Sequence, residues 1–289
     1  MKRNFIIFVS LVFCSSSLFA ASFSDKDSHG NTALHETVSE SGYYDNASKQ
    51  STYLENVKTI LKSGVDVNAQ GSDKYSALHI AVKNNNLEIV KELLAHGAKV
   101  ALKDVWGRTP LFYAELGAIA NELISHKADP NNIDQWKVSA LQRTIRRGHA
   151  DVAKILIEHG AKINTIDEWG CSPIHAAAAA DENGVEILEM LLKHGANINA
   201  ACIAGETALY YAVGNVNLES VKFLLKNGAE FSEKTEAVIK KSRNFTILDV
   251  AKDSISLGMI KPITMGSDPK IVKEKKEILD LLLEALKKK

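Results

Sequence analysis

The chain of 289 residues sets 35 basic against 35 acidic side chains, with a pI near 7.1. No sequence-wide positive field exists to hold nucleic acid or anionic lipid, so neither is expected as a partner. Three cysteines are too few to frame a fold with disulfides, which leaves a hydrophobic core to hold it together.

The first element is a leader. Lys2 and Arg3 precede an apolar run from Phe5 to Phe13, followed by small residues and Leu18-Phe19-Ala20-Ala21. This is the pattern of a secretory signal peptide, residues 1–20, with cleavage after Ala20. The apolar run is about half of the roughly 20 residues that a membrane-spanning helix needs, so no stable membrane insertion is expected. Cys14 follows Phe13, where a lipid-modified N-terminus requires a small residue. Without the leader the chain keeps 33 basic and 35 acidic residues and two cysteines, Cys171 and Cys202. It is read as an exported protein, periplasmic or secreted.

After a short segment at 21–26, a four-residue string recurs. Thr-Ala-Leu-His at 32–35 returns as Ser-Ala-Leu-His at 76–79, Thr-Pro-Leu-Phe at 109–112 and Ser-Ala-Leu-Gln at 139–142. Ser-Pro-Ile-His at 172–175, Thr-Ala-Leu-Tyr at 207–210 and a worn Thr-Ile-Leu-Asp at 246–249 follow. The first six are each followed by a Leu-rich stretch ending in Gly64-Val65, Gly97-Ala98, Lys127-Ala128, Gly160-Ala161, Gly195-Ala196 or Gly228-Ala229. A fixed period of this kind signals a stack of small units, none able to bury its apolar face alone. Thr or Ser suits a helix N-cap, Pro110 and Pro173 suit the first helical position, and Gly suits a left-handed C-terminal cap. Lys127 in place of Gly predicts a strained or altered cap.

These strings resemble the ankyrin repeat, clearly over residues 27–232, roughly 70% of the chain. The resemblance implies an all-α solenoid of stacked helix-turn-helix units with short β-hairpin fingers. The array is placed at 27–252, with six clear repeats and a degenerate seventh. From the motif Leu to the capping residue is 19 positions in repeats two, four and six, but 30 in the first, 16 in the third and 21 in the fifth. These changes are expected in the loop between the two helices of a repeat. The first repeat's insertion falls within Ser39 to Leu54 and contains Tyr43 and Tyr44, as a solvated loop or a contact arm. Beyond Gly228, residues 234–243 extend a linker or helix, 253–269 read as a loop, and 270–289 as a capping helix with a basic tail. Its apolar stripe is Ile278, Leu281, Leu282 and Leu286.

Nine histidines invite a metal or catalytic reading, and the repeat absorbs most of them. His35, His79 and His175 share a motif position where the family uses the ring for hydrogen bonds between repeats. His96, His126, His159 and His194 recur beside the second-helix cap. The resemblance implies repeats about 10 Å apart, a helix-packing distance, whereas ligands on one zinc approach to about 2 Å. Cys171 with His175 makes a weak nucleophile-base pair, and the alignment sets Cys171 and Cys202 four positions out of step, leaving a disulfide between them open. No phosphate-binding glycine loop, Gly-x-Ser-x-Gly elbow or His-Glu-x-x-His helix occurs. No catalytic residue, cofactor or metal is assigned.

The three tryptophans fall at one place in consecutive turns: Asp104-Val-Trp106-Gly, Asp134-Gln-Trp136-Lys and Asp167-Glu-Trp169-Gly. In an ankyrin fold that place is near the finger tip, so the rings are expected as a ladder along one edge, for binding or for packing on the neighbouring finger. The variable positions that the family turns toward partners are Tyr75, Arg108, Lys137, Glu168 and Glu206 on or near the fingers, then Lys83, Asn84, Arg146 and Arg147 on the first helices. The expected function is a non-catalytic protein-protein interaction module, an adaptor or inhibitor acting after export. It would be monomeric, with a protein partner across the concave face of repeats two to five. A secreted effector that binds host-cell proteins and an enzyme with an unrecognised site are the alternatives.

Overall fold

Each of the six motif copies at 32–210 opens a helix or helical turn with its Thr or Ser in extended backbone; in five of them that side chain closes the first turn, and after Thr109 a proline at the first helical position starts it instead. The computed structural model describes residues 23–43, 47–180, 183–230 and 269–287. The leader, Cys14, Tyr44, residues 234–243, the seventh copy at 246–249 and the loop to 268 lie outside the described residues, as do the side chains of Tyr43 and Leu286.

The chain divides into two units. In Met1–Val105 the helices are α1 (Ala33–Glu40), α2 (Ala47–Lys62), α3 (Ala77–Lys83) and α4 (Leu87–Ala95). In Trp106–Lys289 a 3-10 turn (Pro110–Tyr113) precedes α5 (Gly117–Ser125), α6 (Ala140–Arg146), α7 (Ala150–Glu158), α8 (Pro173–Ala179), α9 (Gly184–Lys193), α10 (Ala208–Gly214), α11 (Leu218–Lys226) and α12 (Pro269–Lys287). Within the first unit α1 packs on α3 and α2 on α4; within the second the short helices α6, α8 and α10 form one row and α5, α7, α9 and α11 another. Leu123, Leu141, Leu156, Ile174, Ile187 and Leu224 are fully buried between the two rows. Each such side chain contributes about 1.5–3 kcal/mol. The fold is an all-α solenoid. The fingers are tighter than the expected β-hairpins: among the described residues they are turns closed by isolated bridges, Gln70 to Ser76, Ile133 to Ser139 and Ala201 to Thr207.

Two spacing changes fall where the sequence reading did not place them. The described part of the first repeat's insertion, 47–54, is helical, so α2 runs for 16 residues against nine in α4. The segment holds no Gly or Pro to stop a helix, and Val57, Ile60 and Leu61 anchor its far end in the core. In the third repeat the missing residues come out of the first helix, which shrinks to the four-residue 3-10 turn. The chain then enters α5 at Gly117, whose N–H donates to Asp151 Oδ2 at 2.9 Å, with no room for a Cβ beside Asp151 and Ile155. The fifth repeat's extra residues lie between α8 and α9, partly outside the described residues.

The second helices end alike. Gly97 donates to Leu94 O at 3.0 Å and Ala98 to Leu93 O at 3.0 Å, and Gly160-Ala161, Gly195-Ala196 and Gly228-Ala229 repeat the pair of bonds. This is a Schellman cap, which needs a left-handed residue at its centre. Lys127 makes the same bonds, to Ile124 O at 2.8 Å and through Ala128 to Leu123 O at 3.0 Å, at φ +67°. The cap is therefore unaltered, and the strain sits in one lysine backbone. His96, His126 and His194 also bond their Nδ1 to the carbonyl four residues earlier. The C-terminal helix α12 packs on α11, burying Ile278 and Leu282, with Lys222 Nζ 2.9 Å from Glu277 Oε1.

The motif histidines are wired as the resemblance implied. The backbone N–H of Thr32 donates to His35 Nδ1 at 3.2 Å, so Nε2 carries the proton and donates to Tyr75 O at 3.0 Å. His175 does the same between Ser172 and Ala200 O, at 3.0 Å to each. In repeat four Gln142 substitutes: Oε1 accepts from Ser139 N at 3.0 Å and Nε2 donates to Cys171 O at 2.7 Å. Burial pushes the pKa of His35 and His175 below the ordinary imidazole value.

Two outcomes follow from these caps and rings. Lys127→Gly removes a left-handed residue that costs roughly 1–2 kcal/mol, offset in part by the freedom Gly adds to the unfolded chain. A net gain of about 1 kcal/mol in urea unfolding is expected, and an unchanged midpoint would show that Lys127 is unstrained. For the histidines, the unfolded chain takes up its protons near pH 6.5, the folded chain only at lower pH. Their contribution is full above about pH 6.5 and falls as pH drops below it. His175→Gln, copying Gln142, is expected to preserve the melting temperature near neutral pH and to flatten its decline toward about pH 5. An undiminished decline would place the acid sensitivity elsewhere.

Candidate functional site

The finger turns of the second unit are built around buried carboxylates. Asp134 Oδ1 accepts the backbone N–H of Trp136 at 2.9 Å and of Val138 at 3.0 Å; Asp167 Oδ1 does the same for Trp169 at 3.1 Å and Cys171 at 2.9 Å. Such Asx turns fix a loop without a strand ladder. Asp104, Asp134 and Asp167 are all buried. Their recurrence two residues before each Trp was the available signal, and the sequence reading gave them no role. Fingers are then tied side by side: Gln135 N donates to Trp106 O at 2.9 Å, Glu168 N to Trp136 O at 3.0 Å and Ile203 N to Trp169 O at 2.9 Å.

The three indoles do not make a uniform exposed ladder. Arg108 bonds Asp134 Oδ2 through Nε at 3.2 Å and Nη2 at 3.1 Å, and its guanidinium carbon lies 5.4 Å from the Trp106 ring centre and 5.3 Å from that of Trp136. Trp106 and Trp136 are half-buried against this cation, whereas Trp169 is 53% exposed. The cause is one alignment column. Arg108, Val138, Cys171 and Glu206 each precede the motif Thr or Ser, and Val138 is too short to reach Trp169 as Arg108 reaches Trp136.

The same column corrects Glu206, which was expected to face a partner. It is buried, accepting from Tyr211 Oη at 3.1 Å and from Cys202 Sγ at 3.4 Å. Val138 and Cys171 at equivalent places are buried too, whereas Tyr75 and Arg108 are half-buried. Asn84 also has a structural part: its side-chain amide donates to Val38 O at 2.9 Å and Ser39 O at 3.3 Å, tying α3 to α1. Lys137 and Glu168 are exposed on the turns, Lys137 at φ +60° where two other fingers carry Gly107 and Gly170. In the first unit Tyr75, Lys83 and Asn84 line an open groove of about 540 Å³ with His35, Glu36 and Glu40. There the Lys83 ammonium sits 4.3 Å from the Tyr75 ring centre.

The structure brings Arg108, Trp136, Arg146, Arg147 and Trp169 together. With Phe112 and Arg143 they line an open groove of about 360 Å³ between the finger turns and the first helices of the second unit. Arg146 Nη2 lies 2.8 Å from Asp167 Oδ2 and Arg147 Nη1 2.6 Å from Glu115 Oε1, so both of these charges are paired within the chain. Ile133, Ile166 and Ile203 are also exposed on these fingers, Ile203 by 77%, and the sequence reading passed over them.

Nucleophilic chemistry finds no geometry at Cys171 and His175. Both ring nitrogens of His175 are taken by Ser172 and Ala200, and the Cys171 thiol meets Tyr211 Oη at 3.3 Å. Cys171 and Cys202 are buried free thiols. The Cys202 side chain and burial push the Cys171 thiol up, so it stays protonated. Among the described residues no three His, Cys, Asp or Glu side chains gather as a metal set, and no helix is long and apolar enough to cross a membrane.

Ankyrin-repeat family models match three times, at residues 45–134, 115–202 and 178–235, more than half of the chain. The chain belongs to the ankyrin-repeat family. It is 29% identical over 215 residues to the human transient receptor potential cation channel subfamily A member 1, covering 71% of this chain and 15% of that protein. It is 27% identical over 257 residues to the mouse B-cell lymphoma 3 protein homolog, covering 84% and 54%. The chain thus spans 15% and 54% of these two relatives' lengths. Among solved structures, the human ASB11 ankyrin repeat domain aligns at TM-score 0.64 and 23% identity, covering 86% of this chain and 98% of that one.

Within this ankyrin chain Arg108 is the test of the shielded fingers. Arg108→Met removes the cation from two half-buried rings and the counter-charge of the buried Asp134 carboxylate. A loss of about 2–3 kcal/mol in urea unfolding is expected, with a red shift in tryptophan emission. A loss below about 0.5 kcal/mol would show that the rings hold the fingers without it.

Proposed function

We propose that this ankyrin-repeat chain is a non-catalytic adaptor or inhibitor that acts after export and binds another protein, rather than nucleic acid, as a monomer. The contact surface is the finger and first-helix face of the second unit. One observation carries the reading: an open groove walled by Trp136, Trp169, Phe112 and arginines, beside fingers that leave Trp169, Ile166 and Ile203 exposed. Aromatic rings and arginine are the side chains that most often dominate binding energy at protein interfaces. Exposed apolar side chains on adjoining turns are what an uncovered interface looks like before its partner arrives. A catalytic reading lacks a comparable constellation, since the His175 ring is fully committed to the backbone. The leader at residues 1–20 supports export, and the even charge balance gives no support to a polyanionic partner.

Cross-linking in the native compartment with mass spectrometry identifies the partner. Trp136→Ala with Trp169→Ala, in a chain that keeps its thermal midpoint, is expected to weaken that partner's binding by about tenfold or more, roughly 1.4 kcal/mol. Undiminished affinity in calorimetry would remove the groove from the interface.

A further inference from the structure

The four arginines of the groove are not equivalent. Arg108 is paired with Asp134, Arg146 with Asp167 and Arg147 with Glu115, at 3.1, 2.8 and 2.6 Å. Among the described residues no carboxylate lies within 4.0 Å of the fourth, Arg143. Its guanidinium carbon rests 5.5 Å from the Phe112 ring centre and 5.0 Å from that of Tyr113, half-buried on the groove wall. Burial, then the neighbouring Arg147 and Arg108, push its pKa down against Tyr113 and Glu115, and Glu115 is already engaged by Arg147. A half-desolvated cation beside two other cations is unfavourable until an anion reaches it. The two rings flank the guanidinium, and among the described residues its N–H groups have no hydrogen-bond acceptor, which suits a bidentate carboxylate.

We propose that Arg143 receives one carboxylate from a short acidic peptide segment of the protein partner, whose neighbouring apolar side chain lies against Trp136 and Trp169. This rests on the groove reading above. One uncompensated charge matches one carboxylate better than a phosphate dianion. The groove volume of about 360 Å³ suits a few side chains rather than a folded surface. The aromatic walls give the segment apolar contact that a bare anion would not use. Electrostatic complementarity of this sort sets specificity more than affinity.

The experiment selects a random dodecapeptide phage library on the full chain and measures the recovered peptides by fluorescence polarisation. Recovered peptides are expected to carry Asp or Glu beside an apolar residue, and to lose about tenfold or more in affinity on Arg143→Met. That variant keeps an unbranched side chain of similar length while removing the charge. Arg143→Lys is expected to recover part of the affinity, with melting curves reporting that both variants fold. Peptides lost on Trp136→Ala with Trp169→Ala but indifferent to Arg143→Met would overturn the carboxylate site and leave the groove standing. Peptides indifferent to all of these variants, or none recovered, would overturn the groove itself. Tighter binding of a phosphoserine version of the best peptide, or of a mixed-sequence single-stranded oligonucleotide, would overturn the assignment to an acidic peptide.

Discussion

A pair of helices seven and nine residues long, such as α6 and α7, has one flank that only another pair can cover. Every other feature is arranged around that incompleteness. Leu156 and Ile187 are buried because α7 and α9 lie side by side, and α12 closes over α11 with Ile278 and Leu282. Apolar contact of this kind is non-directional, so it fixes that the pairs stack and leaves their register open. Register comes from polar groups with geometry. The rings of His35 and His175 and the amide of Gln142 each span from their own helix cap to a carbonyl of the next turn. Asn131 adds a second clasp, donating to Gly160 O at 3.1 Å and accepting from Lys162 N at 2.8 Å.

The fingers follow a different physics. With no strand ladder among the described residues, their shape depends on Asp134 and Asp167, whose inner oxygens hold two backbone N–H groups each. The outer oxygens face Arg108 and Arg146. A buried carboxylate that shapes its own loop and anchors an arginine from another element couples turn geometry to the groove wall. Arg108 and Arg146 are thereby tied to the turns that shape the groove wall.

The recurring strings made the stack legible, because capping chemistry and helix spacing repeat with the period. Thr32, Ser76, Pro110 and Gly160 each occupy the place that their backbone preference predicts. Length changes were less legible. Spacing told that 11 residues had been added to the first repeat and three lost from the third, yet not which element absorbed them. A helix lengthens readily when the added residues lack Gly and Pro, as α2 shows, and a first helix of seven residues is short enough to collapse to a 3-10 turn. Side-chain exposure was the least legible. The tryptophans share a position, but whether an indole is covered depends on a residue from the preceding finger. That is a relation between repeats which no single repeat displays. Glu206 misled for the same reason, since its acidic character suggested solvent while Tyr211 and Cys202 take up its carboxylate inside the chain.

That column has a wider meaning. At two places the residue just ahead of the motif Thr or Ser behaves as a shutter for the finger that follows: a long guanidinium draws it closed over the ring, as Arg108 does for Trp136, and a small side chain leaves it open, as Val138 does for Trp169. The exposure of an indole on such a rim is thus set by a single amino acid of the neighbouring finger, apart from the helices behind it, and one exchange there changes which ring faces solvent while every framework residue stays constant.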